Sequence, residues 1–127
     1  MHNILMRPKS LIIGDVVVLA ILTIIGFATH GETGVSYLPR MAASFVPLLF
    51  GWFVLAPWFG LFDRETISDP KKLWRIPLLF LFAAPLAALL RSVMLATPVI
   101  PIFVLVLGST NALGMMIWRW IYNRIAK

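Results

Sequence analysis

Six polar or ionisable residues stand out because each lies within or at the end of a long apolar stretch. They are Asp15, His30, Glu32, Arg91, Asn111 and Arg119. Side chains of these types can pair with one another, bind a proton or a cation, or hydrogen-bond to a small ligand. A charge at the centre of a membrane helix costs about 2.5 to 3.5 kcal/mol, so each should face protein, water or an opposite charge. The helices that carry these residues must therefore turn them inward.

The composition of the chain is typical of a membrane protein. Of 127 residues, 61% are hydrophobic and 13% are charged, which is too apolar for a soluble domain and leaves room for one membrane domain, residues 1–127. The net charge of +6 could indicate a nucleic-acid partner, but the basic residues lie between the apolar stretches, where they act as topology signals. The absence of cysteine excludes disulfides, thiolate metal sites and thiol catalysis.

Four continuous apolar runs are long enough to cross a hydrocarbon core of roughly 30 Å as helices. They cover about residues 10–29, 42–62, 73–95 and 99–122, with a short interfacial turn at about 70–76. The runs do not alternate in polarity, which disfavours a β-barrel, and the short loops make successive helices antiparallel neighbours. The predicted fold is an all-α integral membrane bundle of four antiparallel helices.

The basic residues predict how the bundle is oriented. Nine of the eleven lie on the side of the two chain ends and the middle loop: Arg7, Lys9, Arg64, Lys71, Lys72, Arg75, Arg119, Arg124 and Lys127. Arg40 and Arg91 lie on or near the other side. Both termini should therefore be cytoplasmic. The first run contains Asp15 and lacks a clear small-x-small cleavage site, so we expect a retained span rather than a signal peptide.

Helical periodicity and depth predict which charges meet. At about 100° per residue, Asp15, Arg91 and Arg119 each lie on a face of small or aliphatic residues that suits helix packing. With a rise of about 1.5 Å per residue, Asp15 and Arg119 lie at the same depth near the cytoplasmic side. Arg91 lies level with His30 and Glu32 near the outer side. We therefore expect Asp15 to pair with Arg119, and Arg91 to pair with His30 or Glu32.

These polar residues allow a structural and a functional interpretation. The pair of Asp15 and Arg119 can be a contact between helices or a site for a proton or cation, and we favour the contact because both residues lie close to the interface. Asn111 can bind a ligand, but a buried amide more often forms a hydrogen bond between helices. His30 stands alone, which does not favour a metal or pigment site.

The second run combines prolines with aromatic rings. Each proline removes a backbone hydrogen bond and should kink the helix. Pro47, Trp52, Pro57 and Trp58 could line a groove for a flat apolar ligand such as a lipid, a quinone or a carotenoid. We favour the alternative, in which these rings pack against lipid or a partner subunit.

Several short motifs occur in a characteristic order along the chain. They are GD at Gly14 and Asp15, HGE at 30–32, GW at Gly51 and Trp52, LR at Leu90 and Arg91, and WR at Trp118 and Arg119. In this order and spacing the chain resembles an uncharacterised family of small four-span prokaryotic membrane proteins, domain-of-unknown-function family 3054. The resemblance implies four helices and a bacterial or archaeal cytoplasmic membrane, and it implies no activity.

The sequence contains no HExxH, GxSxG or Walker motif, and its five carboxylates are scattered. We therefore expect neither an enzyme nor a bound metal or cofactor. The favoured hypothesis is an accessory, assembly or structural subunit that contacts membrane lipid and either another membrane subunit or further copies of itself. The alternative is a small oligomeric transporter or channel that uses Asp15 to bind a proton or a cation. Binding of an apolar ligand is the third hypothesis.

Overall fold

The computed structural model describes residues 8–29, 31–32 and 34–126, so the predictions that concern Arg7, His30 and Lys127 lie outside the described residues. Its helices are α1 (Pro8–Thr29), α2 (Leu38–Leu55), the single-turn α3 (Arg64–Ile67), α4 (Arg75–Leu95) and α5 (Pro101–Ala126). Two 3₁₀ turns, Val35–Tyr37 and Pro70–Lys72, precede α2 and α4.

The four long helices form an antiparallel bundle, as predicted. Each is long and apolar enough to cross a membrane, so the protein is an all-α, multi-pass integral membrane protein. The helices are arranged as a ring in which α1 contacts α2, α2 contacts α4, α4 contacts α5, and α5 contacts α1. We call the end at which α1 begins and α5 ends the termini end, and the opposite end the far end.

Small residues allow the close approach of α2, α4 and α5. A Cβ atom placed on Gly51 of α2 would lie 3.5 Å from the Cβ of Ala83 on α4, and one on Gly108 of α5 would lie 3.1 Å from the Cβ of Ala84. The buried face of α4 is lined by these alanines and continues through Ala87 and Ala88. In lipid, where apolar burial does not drive association, such contacts hold helices together by packing.

The second helix ends earlier than predicted, at Leu55 instead of near residue 62. Pro57 has no amide hydrogen and disfavours a helical residue before it, so the regular helix stops at this point. The chain continues through a tight turn in which Gly60 has a φ of 69°, a left-handed conformation suited to glycine. As a consequence the carbonyl oxygens of Phe59 and Leu61 are not used by a helix and can accept bonds from other side chains.

Burial is distributed unevenly between the two ends of the bundle. Among the described residues, α1 has no buried residue after Leu19, and α5 has none before Asn111. On α2 and α4, by contrast, burial extends to Ala43 and Ala88 in their far halves. The far half of α1 is therefore loosely packed, while the far half of α5 approaches α4 at Gly108 without a buried residue of its own, and a space remains between the four helices at this end.

Candidate functional site

The termini end is closed by a cluster around Asp15, whose side chain is fully buried on α1. Arg119 of α5 contacts both carboxylate oxygens, with Nε donating to Oδ1 at 3.1 Å and Nη2 donating to Oδ2 at 2.9 Å. Two indoles add one bond to each oxygen: Trp118 Nε1 donates to Oδ1 at 2.8 Å and Trp52 Nε1 donates to Oδ2 at 3.2 Å. The predicted pairing of Asp15 with Arg119 is confirmed, and in the described part of the chain it is the one ion pair.

A backbone carbonyl and two aromatic rings also contact the guanidinium of Arg119. Its Nη1 donates to the carbonyl oxygen of Leu61 at 2.5 Å, an acceptor that exists because α2 has already ended. The rings of Trp52 and Phe62 lie 5.4 and 5.5 Å from its central carbon, within the range of cation–π attraction. We call Asp15, Arg119, Trp52, Trp118 and Leu61 the clasp. It joins α1, α2, α5 and the turn that follows α2.

A glycine makes the clasp possible. A Cβ atom on Gly14 would lie only 1.9 Å from the ring of Trp118, so only glycine lets this indole lie against α1 and reach the next residue, Asp15. The motifs GD and WR thus work as a pair, because the glycine admits the tryptophan and the aspartate binds the arginine.

Other polar contacts close the termini end around the clasp. The hydroxyls of Ser10 and Tyr122 lie 3.1 Å apart and connect α1 to α5. Asn123 donates from Nδ2 to the carbonyl oxygen of Ile67 at 2.9 Å, which attaches α5 to α3. Arg75 donates from Nη1 to the carbonyl oxygen of Phe59 at 3.0 Å. The space beside Arg119 itself is only about 10 Å³, whereas an open surface pocket of about 430 Å³ lies next to Phe59 and Arg75, outside the clasp.

The far end contains an open polar cavity of about 370 Å³. All four long helices and the loop after α1 contribute to its wall. Its polar residues are Thr23, Glu32, Arg40, Ser44, Arg91, Thr110 and Asn111, and its apolar residues are Leu22, Gly26, Phe27, Phe103, Val106 and Leu107. The volume falls in the lower part of the range of about 300 to 1,000 Å³ that is typical of small-molecule sites.

Arg91 lies in this wall and does not pair with Glu32, one of its two predicted partners; the other, His30, lies outside the described residues. Its Nε donates to the hydroxyl of Ser44 at 3.1 Å, and its guanidinium lies 4.6 Å from the ring centre of Phe103. Glu32 lines the same cavity without forming an ion pair to Arg91 among the described residues. The prediction was wrong on this contact because matching depth gives the level of a residue and not the width of the space between helices.

Asn111 lies at the inner limit of the cavity and is only 3% exposed. Its Nδ2 donates to the carbonyl oxygen of Leu107 at 2.9 Å, on the same helix. A carbonyl can only accept, so the amide must turn its nitrogen to Leu107 and leave Oδ1 for the other side. That oxygen is buried without a hydrogen-bond partner in the described residues. Within residues 8–29, 31–32 and 34–126, Asn111 makes no hydrogen bond to another helix, contrary to expectation.

The four residues of the predicted apolar groove do not line one groove, although Pro57 and Trp58 line an open surface pocket with Phe59 and Trp74. Pro47 and Trp52 are buried between helices, with Trp52 stacked on Phe80 at 5.8 Å between ring centres. Pro57 and Trp58 lie beyond the end of α2, and Trp58 is 85% exposed. The early end of α2 separates the two pairs of residues, and Trp52 serves the clasp instead.

The two sites differ in the chemistry that they can perform. In the clasp each carboxylate oxygen of Asp15 already accepts two bonds, so the group is an internal ion pair with little room for another ligand. In the cavity wall, the described residues Arg40 and Arg91 have no carboxylate partner, and the enclosed Oδ1 of the wall residue Asn111 has no donor. A ligand can gain hydrogen bonds in the cavity that it cannot gain in the clasp.

The fold and these two sites define a small four-span helical membrane protein with an enclosed ion pair near one end and an open cavity with polar residues at the other. The chain matches the model of a family described as protein of unknown function, DUF3054, over residues 12–122, and it belongs to that family. No curated protein and no solved structure matches it. The resemblance expected from the motifs is thereby confirmed, and it includes both sites.

Sequence reasoning missed several residues of the two sites. Trp52 was expected to pack against lipid or a partner subunit, and Trp118 was noted as part of the WR motif; neither was expected to bind Asp15. Arg40 was interpreted as a topology signal and not as part of a cavity wall. A signal for Trp118 was available in its position directly before Arg119, but no signal in the sequence indicates that the helices leave a cavity at the far end.

Proposed function

We propose that the protein is a small membrane transport protein that holds a polar solute in the cavity at the far end. The observation that carries this proposal is the buried, unpartnered oxygen of Asn111 at the inner limit of a polar cavity. Polar groups inside a membrane are costly, and those that remain unpaired are typical of solute or ion pathways. A subunit with only a structural role would gain stability from an apolar residue at this position.

The depth of the cavity supports a role in transport. Asn111 is the eleventh residue of α5, so it lies about 15 Å along the helix, half of a hydrocarbon core of roughly 30 Å. From there to Arg119 is a further distance of about 12 Å. That layer is filled by apolar side chains such as Leu19 and Met115, which are fully buried. A cavity that reaches the middle of the membrane from one side is expected for one state of an alternating-access protein.

In this proposal the clasp acts as the closed gate. A path to the termini end would have to separate Arg119 from Asp15 and from the carbonyl oxygen of Leu61. The transporter hypothesis drawn from the sequence used Asp15 to bind a proton or a cation. In the present proposal Asp15 belongs to the gate instead. The rings of Trp52 and Phe62 would have to move with it.

We also propose that the protein lies in a bacterial or archaeal cytoplasmic membrane with both termini in the cytoplasm, so that the cavity opens outward. The absence of cysteine makes this simple to test. In Thr110→Cys the thiol should react with a membrane-impermeant thiosulfonate added to intact cells, because Thr110 lines the cavity. Leu113→Cys, on the lipid-facing side of the same helix, should not react, because reaction requires a thiolate in water. Equal labelling of both variants, or of neither, would contradict an open aqueous cavity.

The transport activity itself can be tested in liposomes. We expect protein-containing liposomes to release at least one of lactate, glycerol, phosphate and potassium faster than protein-free liposomes. Gly26→Leu should slow this release, because a Cβ on Gly26 meets no atom within 4 Å and the larger side chain would occupy the cavity. Ala28→Leu is the matched control, since Ala28 is exposed on the same helix and does not line the cavity. Release that is no faster than from protein-free liposomes would refute the proposal.

The second candidate function is the accessory or assembly subunit favoured from the sequence. A shallow surface groove between α4 and α5 supports it, because Ala84, Gly108, Ser109 and Ala112 line it and small residues allow another helix to approach closely. If this candidate is correct, the protein should be isolated from its native membrane in a larger complex. Leu105→Trp would obstruct the groove from its rim and should then dissociate the protein from that complex. Leu113→Trp, at an exposed position outside the groove, should leave the complex intact.

A further inference from the structure

We propose that the cavity at the far end binds a small acid anion that carries a hydroxyl or ammonium group next to its acid group. Arg40 and Arg91 would hold the anionic oxygens, and Oδ1 of Asn111 would accept a hydrogen bond from the neighbouring donor. The inference rests on the proposed function only in taking this cavity as the solute site. It concerns binding, which can be measured whether or not the solute is transported.

The charge of the wall favours an anion. Arg40 and Arg91 contribute two positive charges, Glu32 contributes one negative charge, and no ion pair joins them among the described residues. Both Arg40 and Glu32 act electrostatically on Arg91. Two arginines that repel one another across a cavity gain from an anion placed between them, and their planar forks suit carboxylate or phosphate oxygens.

The guanidinium of Arg91 is positioned for such contacts. Its Nε is used by Ser44 and its flat face by Phe103, which together fix the orientation of the side chain. No protein acceptor is recorded for its two Nη atoms in the described part of the chain. An arginine that is already held in place loses less conformational freedom when it binds a ligand.

The inner part of the cavity favours a donor on the ligand. The hydroxyl of Thr23 donates to the carbonyl oxygen of Leu19 at 2.9 Å, and that of Thr110 donates to the carbonyl oxygen of Val106 at 2.7 Å. Because each hydroxyl hydrogen is used by its own helix, what these residues offer to the cavity is oxygen lone pairs. With the unpartnered Oδ1 of Asn111 enclosed in the same wall, the inner part offers mainly acceptors, while the arginines of the outer part offer donors.

This layout matches a ligand with an anion at one end and a hydroxyl or ammonium group at the other. A bare cation would meet the acceptors but also two arginines, and a simple anion would leave the oxygen of Asn111 without a partner. Two sources share the required chemistry. One is a soluble hydroxy acid, and the other is the headgroup of an anionic lipid such as phosphatidylglycerol, which joins a phosphate to a glycerol carrying hydroxyls.

The test is binding of two probes that differ in one hydroxyl, lactate and propionate, measured by calorimetry on the protein in phosphatidylcholine nanodiscs. We expect lactate to bind about tenfold or more tightly than propionate, because only lactate has a donor for Asn111. Asn111→Leu should remove this preference. Arg91→Gln should weaken lactate binding by about ten- to a hundredfold, the usual effect of losing charge-assisted hydrogen bonds.

Arg64→Gln is the matched control, since it removes the same charge from an exposed position at the termini end and should leave binding unchanged. The melting temperature of each variant shows that it is folded. A second arm replaces the free acids by phosphatidylglycerol in the nanodisc. Stabilisation relative to pure phosphatidylcholine that is lost in both Arg91→Gln and Asn111→Leu would support the lipid headgroup as the source.

Equal affinity for lactate and propionate, or a lactate preference that survives Asn111→Leu, would overturn the inference. Absence of binding in both arms by folded protein would also overturn it. These results can be distinguished from failure of the proposed function. Release of glycerol or potassium that is sensitive to Gly26→Leu, without anion binding, would retain transport and reject the anion. Hydroxyl-dependent binding without release of any solute would retain the anion site and reject transport.

Discussion

The two ends of the bundle use similar residues for opposite results. At the termini end, Arg119 is buried and every oxygen of its partner Asp15 accepts two hydrogen bonds. At the far end, Arg91 is partly exposed and bonds a neutral hydroxyl across a cavity that it shares with Arg40. Both arrangements lie within a membrane, so the difference does not come from depth.

Two glycines of α1 account for much of the difference. At Gly14 a Cβ atom would lie 1.9 Å from Trp118, whereas at Gly26, twelve residues further along, nothing lies within 4 Å. A side chain of a neighbouring helix packs against the first glycine, whereas the second glycine faces the open cavity. The comparison teaches that a charged residue in a membrane helix becomes a structural contact where neighbouring helices close around it and a candidate binding group where they do not.

The largest effect is expected from breaking the clasp. Arg119→Met should destabilise the protein by about 3 to 5 kcal/mol, because it leaves Asp15 buried without its counter-charge. The matched change at the far end, Arg91→Met, should cost no more than about 1 kcal/mol, since no charge is left unpaired. The free energy of unfolding in bicelles measures both.

A double variant provides the control for this prediction. Asp15→Leu combined with Arg119→Met removes both charges and should recover most of the stability lost in the single variant. If Arg119→Met and Arg91→Met lower the free energy of unfolding by the same amount, the arginine of the clasp is no more structural than the arginine of the cavity.

The sequence predicted the parts of this comparison that depend on local periodicity. Four apolar runs predicted four helices, and a constant rise per residue placed Asp15 level with Arg119 across α1 and α5. The boundary of α2 was harder, because Pro57 lies in an apolar run and composition alone does not show where such a run stops being helical. The acceptor at Leu61 follows from that boundary and was therefore missed as well.

The cavity could not be predicted for a different reason. Whether Arg91 meets Glu32 depends on how far the end of α1 lies from α4, and this is decided by packing along the full length of four helices. Gly26 and Gly14 look alike in the sequence. The two glycines differ only in whether a residue of another helix packs against them, as Trp118 does at Gly14 and no residue does at Gly26.

The second prediction uses these two glycines directly. Gly14→Ala should destabilise the protein by about 1 to 3 kcal/mol, because the added methyl group must displace the ring of Trp118 and its bond to Asp15. Gly26→Ala should be neutral or stabilise by about 0.5 to 1 kcal/mol, since the new methyl meets open space and alanine favours a helix.

Thermal unfolding of the two alanine variants, followed by tryptophan fluorescence, measures this pair of effects. Opposite signs are the expected result. A loss of stability in Gly26→Ala as large as that in Gly14→Ala would mean that the far half of α1 is packed against another helix, and the open cavity would be refuted.

The smallest predicted effect compares two asparagines of α5 that both keep a buried Oδ1 without a partner among the described residues. In the absence of ligand, Asn111→Leu should stabilise the protein by about 1 kcal/mol. It removes an unsatisfied oxygen and gives up only a bond to Leu107 of its own helix.

Asn123→Leu should instead destabilise by about 0.5 to 1.5 kcal/mol, because the Nδ2 of Asn123 holds the carbonyl oxygen of Ile67 on another element. Chemical unfolding without added ligand measures both changes. A stabilised Asn111→Leu would mean that the wild-type chain retains this amide at a cost in stability, as expected of a residue kept for binding. If Asn111→Leu instead lost stability by as much as Asn123→Leu, Asn111 would be a structural residue and the cavity would have no group reserved for a ligand.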